Sequence, residues 1–228
     1  MSEAVAHPHG DPAVRHSALA HHFEGLPEQK EAAGLGMWLF LAQEVMFFGG
    51  LFACYTIYRN LYPAAFAAGS AHLNWKLGAF NTAVLIGSSL TMAMAVHAAA
   101  VGARRQIVAY LLATVALGST FLGVKVVEYA DKFHHHLVPG AHFRFEGPLA
   151  RPAEIYYALY FAMTGLHALH MVIGIPILLT LAWLAHRGRY SVDYHAPVEL
   201  TGLYWHFVDI VWIFLFPLLY LIPTHAPH

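Results

Sequence analysis

From Gly34 onward the chain alternates between apolar runs and short polar interruptions. Five runs stand out: Gly34–Tyr58, Leu77–Val101, Ile107–Tyr129, Ile155–Ala185 and Leu200–Ile222. Each is near the roughly 20 residues a helix needs to cross the hydrocarbon of a bilayer. The connections between them are Arg59–Lys76, Gly102–Gln106, Ala130–Glu154 and His186–Glu199. The third connection is the longest and carries His134, His135, His136, Pro139, Gly140 and Pro152. This pattern predicts an all-α integral membrane protein, a bundle of five transmembrane helices over residues 34–222. No internal repeat is visible.

Outside the runs the chain is polar. Residues 1–33 hold His7, His9, His16, His21 and His22 among Pro, Gly and Ala. They read as a disordered cytoplasmic tail whose irregular histidine spacing fixes no coordination geometry, with metal binding left open. No apolar core of a signal peptide occurs there, so insertion is expected to begin with the first span. Residues 223–228 form a short C-terminal tail.

Composition strengthens the membrane reading. Of 228 residues, 58% are hydrophobic and 11% charged, against roughly 25% charged in a soluble domain. Mean hydropathy is +0.52. A net charge of −1 argues against nucleic acid as a partner. The single Cys54 lies in an apolar run and supports neither a disulfide framework nor a cysteine metal site. Arg104, Arg105, Arg187 and Arg189 crowd two short connections on one side, which predicts a cytoplasmic N-terminus and a periplasmic C-terminus. Trp38, Tyr58, Tyr62, Trp75, Tyr156, Tyr157, Tyr204 and Trp205, near segment ends, are expected in interfacial belts.

Ionisable groups inside the runs are the candidate chemistry, because each costs about 2.5–3.5 kcal/mol at the bilayer centre when charged. Glu44 sits about ten residues into the first run, as a proton relay or a buried polar anchor. Asn81, Ser88, Ser89 and Thr91 in the second run suit close helix packing, and His97 lies towards its end. Lys125 and Glu128, three apart, can pair, or Lys125 can snorkel. His167 and His170 share a helix face, as do His206 and Asp209. Pairings such as His97 with His170, or His167 with His206, would be needed for bis-histidine haem. A zinc or copper site from His167, His170 and His206 would need a suitable geometry. Gly118, Gly123, Gly165 and Gly174 read as packing glycines. No phosphate loop, nucleophile elbow or HExxH motif occurs.

Several blocks in order resemble subunit III of the haem-copper cytochrome c oxidases, in its short five-helix bacterial form. They are Gly36-Met37 with Leu39-Phe40 and Glu44-Val45-Met46-Phe47-Phe48; Asn81-Thr82 with Leu85 and Ser88-Ser89; Glu128-Tyr129; Thr164-Gly165-Leu166-His167-Ala168-Leu169-His170; and Tyr204-Trp205-His206-Phe207-Val208-Asp209. Longer members have two further N-terminal helices, Gln43 stands where many have Ser, and His97 is followed by Ala98 where a second His is common. The resemblance implies a non-catalytic subunit of a terminal oxidase in the bacterial inner membrane. It would carry no redox centre, haem and copper belonging to the partner subunits I and II. It would support oxygen reduction and proton pumping by packing against subunit I, holding phospholipid and maintaining proton uptake, and it leaves open a larger respiratory supercomplex. Glu44 would be the buried carboxyl, with His167, His170, Glu128, His206 and Asp209 as its polar companions. Alternative readings are subunit III of a quinol oxidase, a nitric oxide reductase-associated homologue, or, in another class, a membrane cytochrome b or proton carrier.

Overall fold

The computed structural model describes residues 23, 25–140, 143–145, 148–192 and 194–222. The five histidines of the N-terminal tail and the C-terminal tail lie outside them. Every regular element among the described residues is a helix: α1 (Leu26–Leu61), α2 (Pro63–Ala71), α3 (Trp75–Ala100), α4 (Arg104–His134), α5 (Ala150–His186) and α6 (Ala196–Tyr220). All but α2 are long and apolar enough to cross a membrane, so the five-span expectation holds.

The helices run beyond the apolar runs. α1 starts eight residues before Gly34, with Pro27 in its first turn, where a missing N–H costs nothing. α5 has 37 residues, roughly 55 Å at 1.5 Å per residue, far more than the hydrocarbon needs. Apolar periodicity fades where a helix enters the headgroups, although its backbone hydrogen bonds continue. α3 is fixed at its start by Asn74, whose side chain accepts from the backbone N–H groups of Lys76 and Leu77 at 3.1 and 3.3 Å.

The connection expected at Arg59–Lys76 is itself partly helical. α2 buries Ala65, Phe66, Gly69 and Ser70. Phe66 sits between Tyr55 and Tyr156, each at a centroid distance of 5.3 Å. Nine residues, small apart from Phe66 and Pro63, give no readable periodicity; only Pro63 marks the start.

The core gathers on α6. The Trp205 indole is fully buried and donates to Ser88 Oγ at 2.7 Å. Its ring fills the space left by Gly118 and Gly174, where an added Cβ would stand 3.0 and 2.8 Å from it. Two of the glycines read as packing positions behave differently. A Cβ at Gly123 meets nothing within 4 Å, and one at Gly165 only the Tyr129 hydroxyl at 3.7 Å.

The expected aromatic belts divide. Trp38, Tyr58, Tyr62 and Trp75 are exposed, whereas Tyr156, Tyr157, Tyr204 and Trp205 are buried. Tyr156, Tyr204 and Trp205 turn inward onto glycines of neighbouring elements, Gly69 for the first and Gly174 for the other two, and Tyr157 packs against the rings of Phe143, Phe145 and Tyr156. α1 is peripheral: 11% of its most apolar stretch is buried within the chain, against 50% for α6. The alternation of spans puts Lys30, Arg104, Arg105, Arg187 and Arg189 at one end of the bundle and Arg59, Lys76 and Lys132 at the other.

Candidate functional site

Glu44 lies midway along α1 and is buried. One of its carboxyl oxygens stands 3.2 Å from Nε2 of His170 on α5. This is ion-pair distance, but the alignment is not that of a hydrogen bond, so that oxygen has no well-directed donor. His170 Nδ1 is 2.9 Å from the Leu166 carbonyl one turn earlier. An N–H at Nδ1 donates there, which leaves Nε2 as the ring atom that can exchange a proton with Glu44. Tyr204 donates its hydroxyl to the His170 carbonyl at 2.8 Å. The rings of Phe48 and Tyr204 flank the imidazole at 5.7 and 6.2 Å.

The pair borders a groove of about 570 Å³ between α1, α5 and α6, otherwise lined largely by apolar residues such as Met37, Phe40, Phe47 and Ile173. Glu44 is thus sheltered by the bundle and still reachable from the flank of α1. A carboxyl and an imidazole so placed can share a proton while the pair as a whole stays neutral, the inexpensive way to keep ionisable groups away from water.

A second network lies near the far ends of α4 and α6. Lys125 Nζ donates to Glu128 Oε2 at 2.9 Å, to the Tyr220 hydroxyl at 2.9 Å and to the Tyr160 hydroxyl at 3.2 Å. Tyr160 and Tyr220 in turn donate to Glu128 Oε1 at 2.9 and 2.5 Å. Lys125 and Glu128 are 2% and 4% exposed, so Lys125 does not snorkel. The ammonium is surrounded by the rings of Tyr129, Tyr160, Trp212 and Tyr220 at 5.1–5.6 Å. All three ammonium hydrogens and both carboxylate oxygens find partners, the condition under which a buried ion pair is tolerable.

Further polar side chains lie inside the bundle on α3, α4, α5 and α6. Ser89 Oγ and His206 Nδ1 are 2.7 Å apart. Both oxygens of buried Asp209 lack a well-aligned hydrogen bond. His167 is fully buried against Phe121 and Trp212, at 5.2 and 5.1 Å, with neither ring nitrogen hydrogen-bonded to protein. Asn81 is fully buried with neither end of its amide partnered. Thr91 and Thr114 join α3 to α4 at 2.8 Å.

The residues singled out in the sequence therefore do not form one cluster around Glu44. His170 meets it. Glu128 belongs to the Lys125 network, Asp209 and His206 sit beside Ser89, and His97 is exposed near the end of α3. His170 faces Glu44 and His167 is enclosed by aromatic rings. Among the described residues, no three His, Cys, Asp or Glu side chains converge in a way that could hold a metal ion. The sequence reading passed over Tyr160 and Tyr220, whose hydroxyls complete the Lys125–Glu128 network. Tyrosines near the ends of apolar runs look interfacial unless an ionic pair at matching depth on a neighbour is noticed.

The model of the family cytochrome c oxidase subunit III matches residues 20–223. The chain is 33% identical over 204 residues to cytochrome c oxidase subunit 3 of Synechocystis sp., covering 89% of this chain and 80% of that one. It is 33% identical over 193 residues to the corresponding protein of Thermostichus vulcanus, covering 82% and 86%. It is also 32% identical over 192 residues to that of Papio hamadryas, covering 81% and 67%.

Proposed function

Because the chain belongs to the cytochrome c oxidase subunit III family, we propose that it serves a haem-copper terminal oxidase as a subunit that carries no redox centre of its own. In this reading it packs against subunit I, holds phospholipid and keeps proton uptake intact through turnover, while haem and copper stay in subunits I and II. Its place is a bacterial inner membrane, with the N-terminus cytoplasmic.

The observation that carries this reading is the Glu44–His170 pair at the edge of the α1 groove. A sheltered carboxyl and imidazole can keep a proton poised without a metal. The outer face of α1, with Leu35, Leu39 and Met46 exposed, supplies apolar surface that a neighbouring subunit or lipid would cover.

The test is co-purification through a tag on this chain, followed by pigment analysis of the separated subunits. The expected result is recovery of the oxidase core, with its haem and copper spectra leaving with subunits I and II. A Soret band travelling with this chain alone would support the cytochrome b reading instead. Assay with reduced cytochrome c and with quinol then separates the two kinds of oxidase.

A further inference from the structure

We propose that the cleft between the start of α4 and the end of α5 binds the phosphate of an anionic phospholipid. This rests on the lipid-holding part of the function proposed above, and adds the lipid class and the place.

Arg104, Arg105, Val108 and His186 line a pocket of about 380 Å³. Arg104 and Arg105 open α4, so their side chains add to the partial positive charge of a helix start. His186 and Arg187 close α5, and the Arg187 guanidinium lies 4.2 Å from the ring centroid of Trp183. The α5–α6 turn is drawn onto this cluster at Gly188. Its φ of +75° is one that side chains rarely adopt, and a Cβ there would lie 3.5 Å from Arg104 Nη1. The pocket is therefore built by two helix ends and a turn.

Its charge is not neutralised within the described residues. Their ion pairs join Lys30 and His195 to Glu199, Lys132 and His135 to Asp131, Lys125 to Glu128 and His170 to Glu44. None uses Arg104, Arg105 or Arg187. Glu199, an acid of the same end, is already held by Lys30 at 2.8 Å and His195 at 3.0 Å.

Below the cations the surface turns apolar. Leu112 lies two turns along α4 from Arg105, and Leu179 two turns back along α5 from His186, so each shares its cation's face. Both are exposed, as is Trp183. A cationic rim at headgroup depth above exposed aliphatic side chains and a tryptophan matches a phospholipid, phosphate above and acyl chain below. Guanidinium groups bind a phosphodiester through paired hydrogen bonds. The same cluster would repel the choline ammonium of a zwitterionic lipid, which selects an anionic headgroup.

The experiment uses the intact purified complex, delipidated in mild detergent. Spin-labelled phosphatidylglycerol, spin-labelled phosphatidylcholine and inorganic phosphate serve as probes. The expected result is one tightly held phosphatidylglycerol lost on Arg104→Gln/Arg105→Gln, with binding roughly 10- to 30-fold weaker, from two cations near the surface. Arg104→Lys/Arg105→Lys should fall between, and Arg59→Gln, at the other end of the bundle, should leave binding unchanged. Equal retention of phosphatidylcholine overturns the anionic specificity. Displacement of phosphatidylglycerol by inorganic phosphate at equal concentration overturns the lipid assignment. Phosphatidylglycerol held equally by the Gln double variant overturns the site, whereas a complex that retains no lipid at all overturns the lipid-holding function itself.

Discussion

His170 Nε2 and Glu44 Oε2 face each other at 3.2 Å across the α1–α5 boundary. The other ring nitrogen of the same imidazole is engaged with the Leu166 carbonyl. In the proposed function this carboxyl and this imidazole work as one unit. Substitutions at either end should act as one. Under sustained turnover, His170→Leu should shorten the working life of the complex as Glu44→Gln does. The double variant should be no worse than either single one, because residues acting as a unit are non-additive. Inactivation time courses of the three variants check this; additive losses would separate the two residues.

The Lys125–Glu128 pair leads to a stability prediction. Lys125→Met leaves Glu128 with an uncompensated buried charge, and breaking one side of such a pair costs about 3–5 kcal/mol. Lys125→Met/Glu128→Met should regain much of that loss, because neither charge is then buried alone. Thermal denaturation of the wild type, Lys125→Met, Glu128→Met and the double variant in one detergent closes the cycle, with the coupling appearing as a midpoint for the double variant above that of Lys125→Met.

Much of the bundle is legible in the sequence because lipid imposes a simple demand: every backbone polar group must be satisfied within its own segment, so long apolar runs must be helices. Five runs accordingly gave five spans. The side-chain partnerships are less legible. Lys125 and Glu128 announce their pairing by spacing alone, three residues apart on one helix. Tyr160 and Tyr220, which complete the network, come from two other helices at a depth set by tertiary packing. The same holds for Trp205, which looks interfacial near the start of α6 and is drawn inward by Gly118 and Gly174 on two neighbours. His167, grouped with Glu44 in the sequence reading, lies among the rings of Phe121 and Trp212. Three residues from His170, it is offset by about 60° around α5, and that offset decides which neighbour each histidine meets.

The glycines that receive Trp205 give a packing prediction. Gly174→Ala places a methyl group 2.8 Å from the indole ring, and overpacking of this kind typically costs about 1–3 kcal/mol. Gly123→Ala meets nothing within 4 Å and should be neutral or slightly favourable for its helix. Expression and thermal midpoints of the two variants, side by side, distinguish a specific clash from a general intolerance of substitution.

The most direct test of the oxidase role is the number of turnovers the Glu44→Gln complex completes before half its activity is gone, measured with the wild type at alkaline pH. The expected result is an initial rate close to wild type, as the proposed role without a redox centre requires, and a working life several-fold shorter. A wild-type working life in the variant, or loss of haem from the purified complex on this one substitution, would contradict the account.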